Sequence, residues 1–243
     1  MRSLLLTLAL FLAVAGPGEA ARVRAVRASP PSRLLWIGAH PDDEALIAPI
    51  FGTECVERGN DCVIVILTNG SPERAAEVQR AAAALHARLI QWDLPDVFDV
   101  TQWGDRSALV ARLASTIAAE APTEIYTFDP RHGSSCHPAH REAGRLTLDA
   151  VSTLGPGAPP VMLVETLILR DSAARIAGFA PATPSASAID ATPTWHYLVD
   201  DAAAQPSQFS AAQLDLLRAI PLDQRRVWLL PANAPAEQMA TCP

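Results

Sequence analysis

His40-Pro41-Asp42-Asp43-Glu44 sets one imidazole and two adjacent carboxylates directly behind the apolar run Leu34-Leu35-Trp36-Ile37-Gly38-Ala39. Adjacent carboxylates repel when both are ionised, so burying them together requires a compensating cation. A bound metal ion supplies that charge. A second cluster, His132-Gly133-Ser134-Ser135-Cys136-His137-Pro138-Ala139-His140, follows the strand-like Glu124-Ile125-Tyr126-Thr127-Phe128. Pro138 suits the opening of a helix, and the spacing of His137 and His140 puts both imidazoles on one face of its first turn. Three imidazole or carboxylate ligands with one position left open make the pattern of a catalytic zinc site. Taken alone, Asp42 and Asp43 would read as acidic residues at a helix N-terminus. That reading explains neither the His before them nor the His-x-x-His after a later strand.

Elements must bring the two clusters together. Apolar runs predict strands over 34–39, 62–68, 88–92, 124–128 and 161–168. Helical periodicity falls at 43–58, 73–87, 106–120, 138–153 and 210–219, with Pro49 bending the first. Strands that are apolar throughout are buried on both faces. Their alternation with helices predicts an α/β fold, a Rossmann-like three-layer sandwich around a mostly parallel sheet. Ligands in such sheets bind beyond the carboxyl ends of the strands. His40, Asn69 and the second His cluster all fall there. Residues 170–194, rich in Ala, Pro, Ser and Thr, read as a variable loop, either a surface excursion or a substrate lid. Residues 231–243 read as an extended tail.

The motifs Ala39-His40-Pro41-Asp42-Asp43-Glu44, Leu67-Thr68-Asn69-Gly70 and His137-Pro138-x-His140 resemble the LmbE/PIG-L family of zinc-dependent N-deacetylases. The likeness takes in Arg74-x-x-Glu77 and Leu94-Pro95-Asp96, runs from about residue 34 to 150, and extends more weakly to Gln208-Phe209. The resemblance implies His40, Asp43 and His140 as the zinc ligands and Asp42 as the general base. It implies that His137 stabilises the oxyanion or protonates the leaving amine, and that Glu44 supports the ligands. Arg74 and Asp96 would contact substrate by the same analogy, against a plain reading as helix–loop ion pairing. His132 stands close enough in sequence to line the pocket. Family members commonly carry Asp between Pro138 and His140, where this chain has Ala139.

The implied chemistry is sound. Zinc polarises a carbonyl and lowers the pKa of its bound water to roughly 7. A neighbouring carboxylate then accepts the proton, and an imidazolium across the site would give a bell-shaped rate profile. Two histidines and one aspartate suit Zn2+, and also Fe2+ or Co2+.

Composition narrows the remaining choices. The chain has 243 residues, 49% of them hydrophobic, and a net charge of -7, which suits one domain with a substantial core. All 19 basic residues are Arg. The absence of Lys excludes Schiff-base chemistry and the phosphate-binding Lys of P-loops. No basic stretch interleaves with aromatics, so no nucleic-acid partner is expected. Arg2, the apolar run Leu4 to Ala15 and the small residues around Ala20 read as a signal peptide over 1–21. Residues 22–243 would then be a single LmbE-like deacetylase domain, secreted or periplasmic, with no stable membrane insertion after cleavage. Cysteines 55, 62, 136 and 242 fit disulfides in such a compartment. Cys55–Cys62 and Cys136–Cys242 are the favoured pairs; Cys136 as a metal ligand is the competing reading.

The functional expectation is an exported hydrolase that removes the acetyl group from an N-acetylated amino sugar, an N-acetylglucosamine-type small molecule or oligosaccharide, through a zinc-activated water. The acetyl-sugar choice comes from the resemblance. Alternatives are another metal-dependent amide or ester hydrolase, or a non-catalytic carbohydrate-binding relative. Asp42 argues against the last, since a binding site needs no base.

Overall fold

In the computed structural model the described residues are 31–166 and 187–233. The expected signal peptide therefore lies outside them, as do Cys242 and most of the 170–194 loop. The described residues belong to one compact unit. Among the described residues no helix is long and apolar enough to cross a membrane.

The expected strands form as β1 (Arg33–Gly38), β2 (Asp61–Thr68), β3 (Ala87–Leu94), β4 (Glu124–Phe128) and β5 (Val161–Thr166). They are followed by β6 (Ser187–Asp190) and β7 (Arg226–Pro231), and the seven strands order as β3-β2-β1-β4-β5-β7-β6. The first five run parallel, while β7 is antiparallel to both β5 and β6. Continuous burial of Leu34 to Ile37 and of Cys62 to Leu67 reflects helices covering both faces. The order reverses between β1 and β4, the place where open α/β sheets leave a crevice at their carboxyl ends.

Two strands were not expected. β6 lies in what reads as a loop, and its four residues are exposed on the sheet edge. β7 reaches Pro231, where a tail was expected to begin. Both are short and gain their order from pairing across the chain.

The helices are α1 (Ala48–Phe51), α2 (Pro72–Ala84), α3 (Arg106–Glu120), α4 (Gly133–Cys136), α5 (Pro138–Thr153), α6 (Trp195–Ala203) and α7 (Ala211–Ala219). The single bent helix expected over 43–58 is broken into a 3-10 turn (Asp43–Leu46), α1 and a π-helical segment (Gly52–Glu57). Pro49 removes a backbone donor, and Gly52 lies so close under Tyr197 that a Cβ there would come within 2.0 Å of its ring. Helix α2 ends at Ala84 because His86 turns left-handed, with φ 53°.

Cys55 and Cys62 are joined, closing the link between the π segment and β2. Cys136 is disulfide-bonded as well, so it carries no thiolate and is no metal ligand.

A candidate metal centre at the switch point

Strand β1 delivers His40, and the turn that follows folds Asp43 back underneath it. The Asp43 Oδ2 accepts hydrogen bonds from the backbone N–H of Ala39 and of His40, each at 2.7 Å. That leaves Oδ1 facing the His140 Nε2 at 3.1 Å. His140 Nδ1 donates to the Gly133 carbonyl at 2.9 Å, which makes Nε2 the lone-pair nitrogen of the neutral ring. The His40 Nδ1 stands 3.1 Å from the same Nε2. Two ring nitrogens aimed at one another beside a buried carboxylate oxygen form a donor set that suits a divalent ion.

Backbone packing holds this set. Helix α5 crosses β4 so closely that a Cβ on Gly144 would meet the Phe128 carbonyl at 2.3 Å. The Phe128 ring lies flat against the His140 imidazole, with centroids 4.1 Å apart and planes 4° apart. Phe128 also meets Trp36 of β1 edge to face at 5.2 Å, so the hydrophobic core positions the His140 ring.

Asp42 sits at φ 136°, a conformation costly for any residue with a Cβ. Its backbone N–H donates to Glu44 Oε2 at 3.1 Å. Its carboxylate lies 3.3 Å from the Arg74 guanidinium. Burial, reinforced by the neighbouring Asp43, pushes the Asp42 carboxyl up to about 7. Asp43 goes the other way. Burial alone would raise it, but His140 and His40 hold it well below the usual carboxylate range. For His140, burial opposes the charge and Asp43 outweighs it, so its pKa is raised.

His137 caps α5: its Nδ1 accepts from the Ala139 N–H at 3.3 Å. The neutral ring therefore carries its proton on Nε2. Burial, together with the nearby His140 and His40, pushes His137 down to about 4. These surroundings favour a neutral ring at this position over the expected imidazolium. The turn contributes no carboxylate, because Ala139 stands where one would have favoured the charge.

Two triplets, His40-His137-His140 and His40-Asp42-Asp43, have ligand atoms within 4.8 Å of one another. His137 is therefore within reach of the same ion. The tighter contacts at 3.1 Å join His40, Asp43 and His140, and these favour that set.

A cavity of about 400 Å³ opens over the cluster. Arg74 and Asp96 line it, paired to each other, and Arg74 also donates to the Pro41 carbonyl at 2.7 Å. Asp96 Oδ1 lies 3.6 Å from the His40 Nε2, so the pair braces His40 as well as facing the cavity. Gly70, at φ 58°, leaves the room by which α2 approaches Pro41. His132 is a correction: it is 1% exposed and does not line the cavity, because the turn from Asp129 to Gly133 folds it inward. The opposite wall comes from Leu46, Leu198, Phe209 and Leu217. Helix α6, which supplies Leu198, was not expected from the sequence, although its Trp195, Leu198 and Ala202 bury one helical face. Phe98, 69% exposed, meets His137 edge to face at 5.1 Å. An aromatic two residues after Asp96 was the signal available for it.

Residues 35–151 match the family model described as PIG-L, GlcNAc-PI de-N-acetylase. The N,N'-diacetylchitobiose deacetylase of Pyrococcus horikoshii superposes with a TM-score of 0.62 at 17% identity, over 82% of this chain and 84% of that one. The 4-carboxy-2-hydroxymuconate hydratase GalB of Pseudomonas putida gives 0.61 at 15% identity, over 84% and 98%. A zinc-inhibited form of teicoplanin deacetylase gives 0.59 at 17% identity, over 84% and 100%. At these identities the likeness shows the fold, which one hydratase shares with the deacetylases. No curated protein sequence matches significantly.

Proposed function

The chain belongs, through residues 35–151, to the PIG-L (LmbE-like) family, and from that premise we propose that it is a metal-dependent N-deacetylase acting on an N-acetylglucosamine-type amino sugar or its conjugate. The observation that carries this reading is the convergence of His40, Asp43 and His140 on one point, beneath a cavity that also holds Asp42 and His137. His40, Asp43 and His140 would hold the ion. A divalent cation there supplies Lewis acidity at the amide carbonyl and acidifies water; Zn2+ suits the donors, as do Fe2+ and Co2+.

The chain's own groups do the rest. The Asp42 carboxylate, placed by its strained backbone and by Arg74, takes a proton from the attacking water. A carboxyl poised near neutrality then returns that proton to the amine nitrogen as the C–N bond breaks. The His137 Nε2–H donates a hydrogen bond to the carbonyl oxygen as negative charge builds there, with no need to be cationic. Arg74 keeps Asp42 pointed into the cavity and offers a donor to substrate oxygens. Acetate and the free amine leave.

Export is part of the same proposal. It is supported by Arg2 with the apolar run behind it and by the Cys55–Cys62 bridge, which suits an oxidising compartment.

The test is release of primary amine and acetate from N-acetylglucosamine, chitobiose-type and lipid-linked N-acetyl sugars, with and without a chelator. The chain lacks Lys, so amine detection has little protein background. Stoichiometric acetate and amine, lost on chelation and restored by metal, is the expected result. Activity indifferent to chelation, or turnover without acetate, sinks the reading.

A further inference from the structure

We infer that Glu77 is a positioning residue, which holds the segment Gln205 to Phe209 and thereby sets the substrate wall of the cavity. The kinetic part of this inference rests on the deacetylase reading. Glu77 lies on α2 at 1% exposure, one helical turn beyond Arg74. Among the described residues no Arg or His pairs with it. A carboxylate buried without a cation is costly, so it needs compensating donors. Both of its donors come from one residue 130 positions away. The Ser207 N–H donates to Glu77 Oε1 at 3.1 Å, and the Ser207 hydroxyl donates to Oε2.

Ser207 belongs to the turn between α6 and α7. That turn is closed within itself by Gln208 N–H and Phe209 N–H, both donating to the Gln205 carbonyl at 2.9 and 3.0 Å. The Ser207 N–H is left over from this pattern, and Glu77 takes it. The next two side chains, Gln208 and Phe209, line the cavity with Asp42 and His137. A second tie fixes the start of the segment: Gln205 Nε2 donates to Glu44 Oε1 at 2.8 Å and to Asp201 Oδ1 at 2.9 Å. Helix α2 thus carries the polar brace of the site at Arg74 and the anchor of the opposite wall at Glu77, three residues apart on one face. The distance between the reacting groups and Gln208 and Phe209 is set by this helix.

The test compares Glu77→Ala, Glu77→Gln and Ser207→Ala with the wild type. Loss of the two hydrogen bonds should raise KM by roughly 10-fold or more, with kcat changed by less than about 3-fold. Metal content should stay at the wild-type level. Gln can accept from the Ser207 N–H and donate to its hydroxyl, so Glu77→Gln should bring KM back towards the wild type. Ser207→Ala loses only the hydroxyl bond and should fall between, which keeps the test available if Glu77→Ala does not fold. Amide hydrogen exchange over residues 204–210 supplies a readout independent of turnover, and it should quicken in Glu77→Ala and less in Glu77→Gln. Unchanged KM, or kcat falling with KM unmoved, overturns the inference; so does unchanged exchange. If the wild type releases no amine, the deacetylase reading fails while the exchange result still judges the anchor.

Discussion

Single residues divide the labour at this centre through their surroundings. Asp42 and Asp43 are neighbours with opposite fates, one pushed up to about 7 by burial and its twin, the other drawn down by two imidazoles. The pH profile follows. On the proposed mechanism Asp42 must lose its proton, so kcat/KM should rise as pH climbs through its titration, at or below about 7 because a bound cation would lower it. His137, held near 4, stays neutral throughout, so it adds no descending limb. A plateau above that rise is expected, and a bell centred near neutrality would restore the imidazolium to His137. His140→Ala should lose bound metal, whereas His137→Ala should keep it and lose turnover, read by metal analysis beside rate. Equal metal loss would make His137 a ligand. The His40-x-x-Asp43 and His137-x-x-His140 clusters were legible in the sequence because each is local and carried by a family motif. Glu77 and Gln205 were not, because their roles depend on partners 130 and 161 residues away.

At the scale of elements, the helix–strand contact matters most. Gly144 has no room for a methyl group against the Phe128 carbonyl. Gly144→Ala should therefore push α5 off β4, costing roughly 1–3 kcal/mol of stability. Because α5 carries His140, the same variant should hold metal less tightly; a lowered melting temperature with unaltered metal affinity would separate the two. The long parallel elements could be read directly, since burial on both faces leaves an unbroken apolar run. The boundaries of α3 and α5 match their periodicity. What escaped was order created by distant pairing, in β6 and β7, and the break of the first helix into three local geometries. Pro49 announces a disturbance, but the crowding of Gly52 by Tyr197 becomes visible only in three dimensions.

For the whole molecule, burying acids without cations makes stability depend on pH. Asp201, 1% exposed, is pushed up to about 8 by burial, with Asp42 adding to the shift. The folded state thus keeps a proton that the unfolded chain sheds above its ordinary 3.8, so stability falls as pH rises from about 4 to about 8. Asp201→Asn removes that dependence. It should melt higher than the wild type at pH near 8 and at a similar temperature near pH 4, in chelated protein scanned at both pH values. An equal offset at both would show that charge is not the cause. Glu44 is raised by burial and by Asp201, so the same substitution also relieves part of the Glu44 shift and adds to the effect. The mostly parallel sheet was foreseeable from the β–α alternation. The acid pair on either side of Gln205 was not, because Glu44 and Gln205 stand 161 residues apart and helix α6 was not expected.

The backbone at Asp42 has a cost of its own. At φ 136° the penalty belongs to the Cβ, so an alanine there would inherit it and only glycine would escape. Replacing Asp42 with Gly should therefore yield an inert protein that outlasts its parent on heating. A sturdier corpse of this kind would mean that natural selection has tolerated a weaker fold to keep one oxygen atom over the cavity.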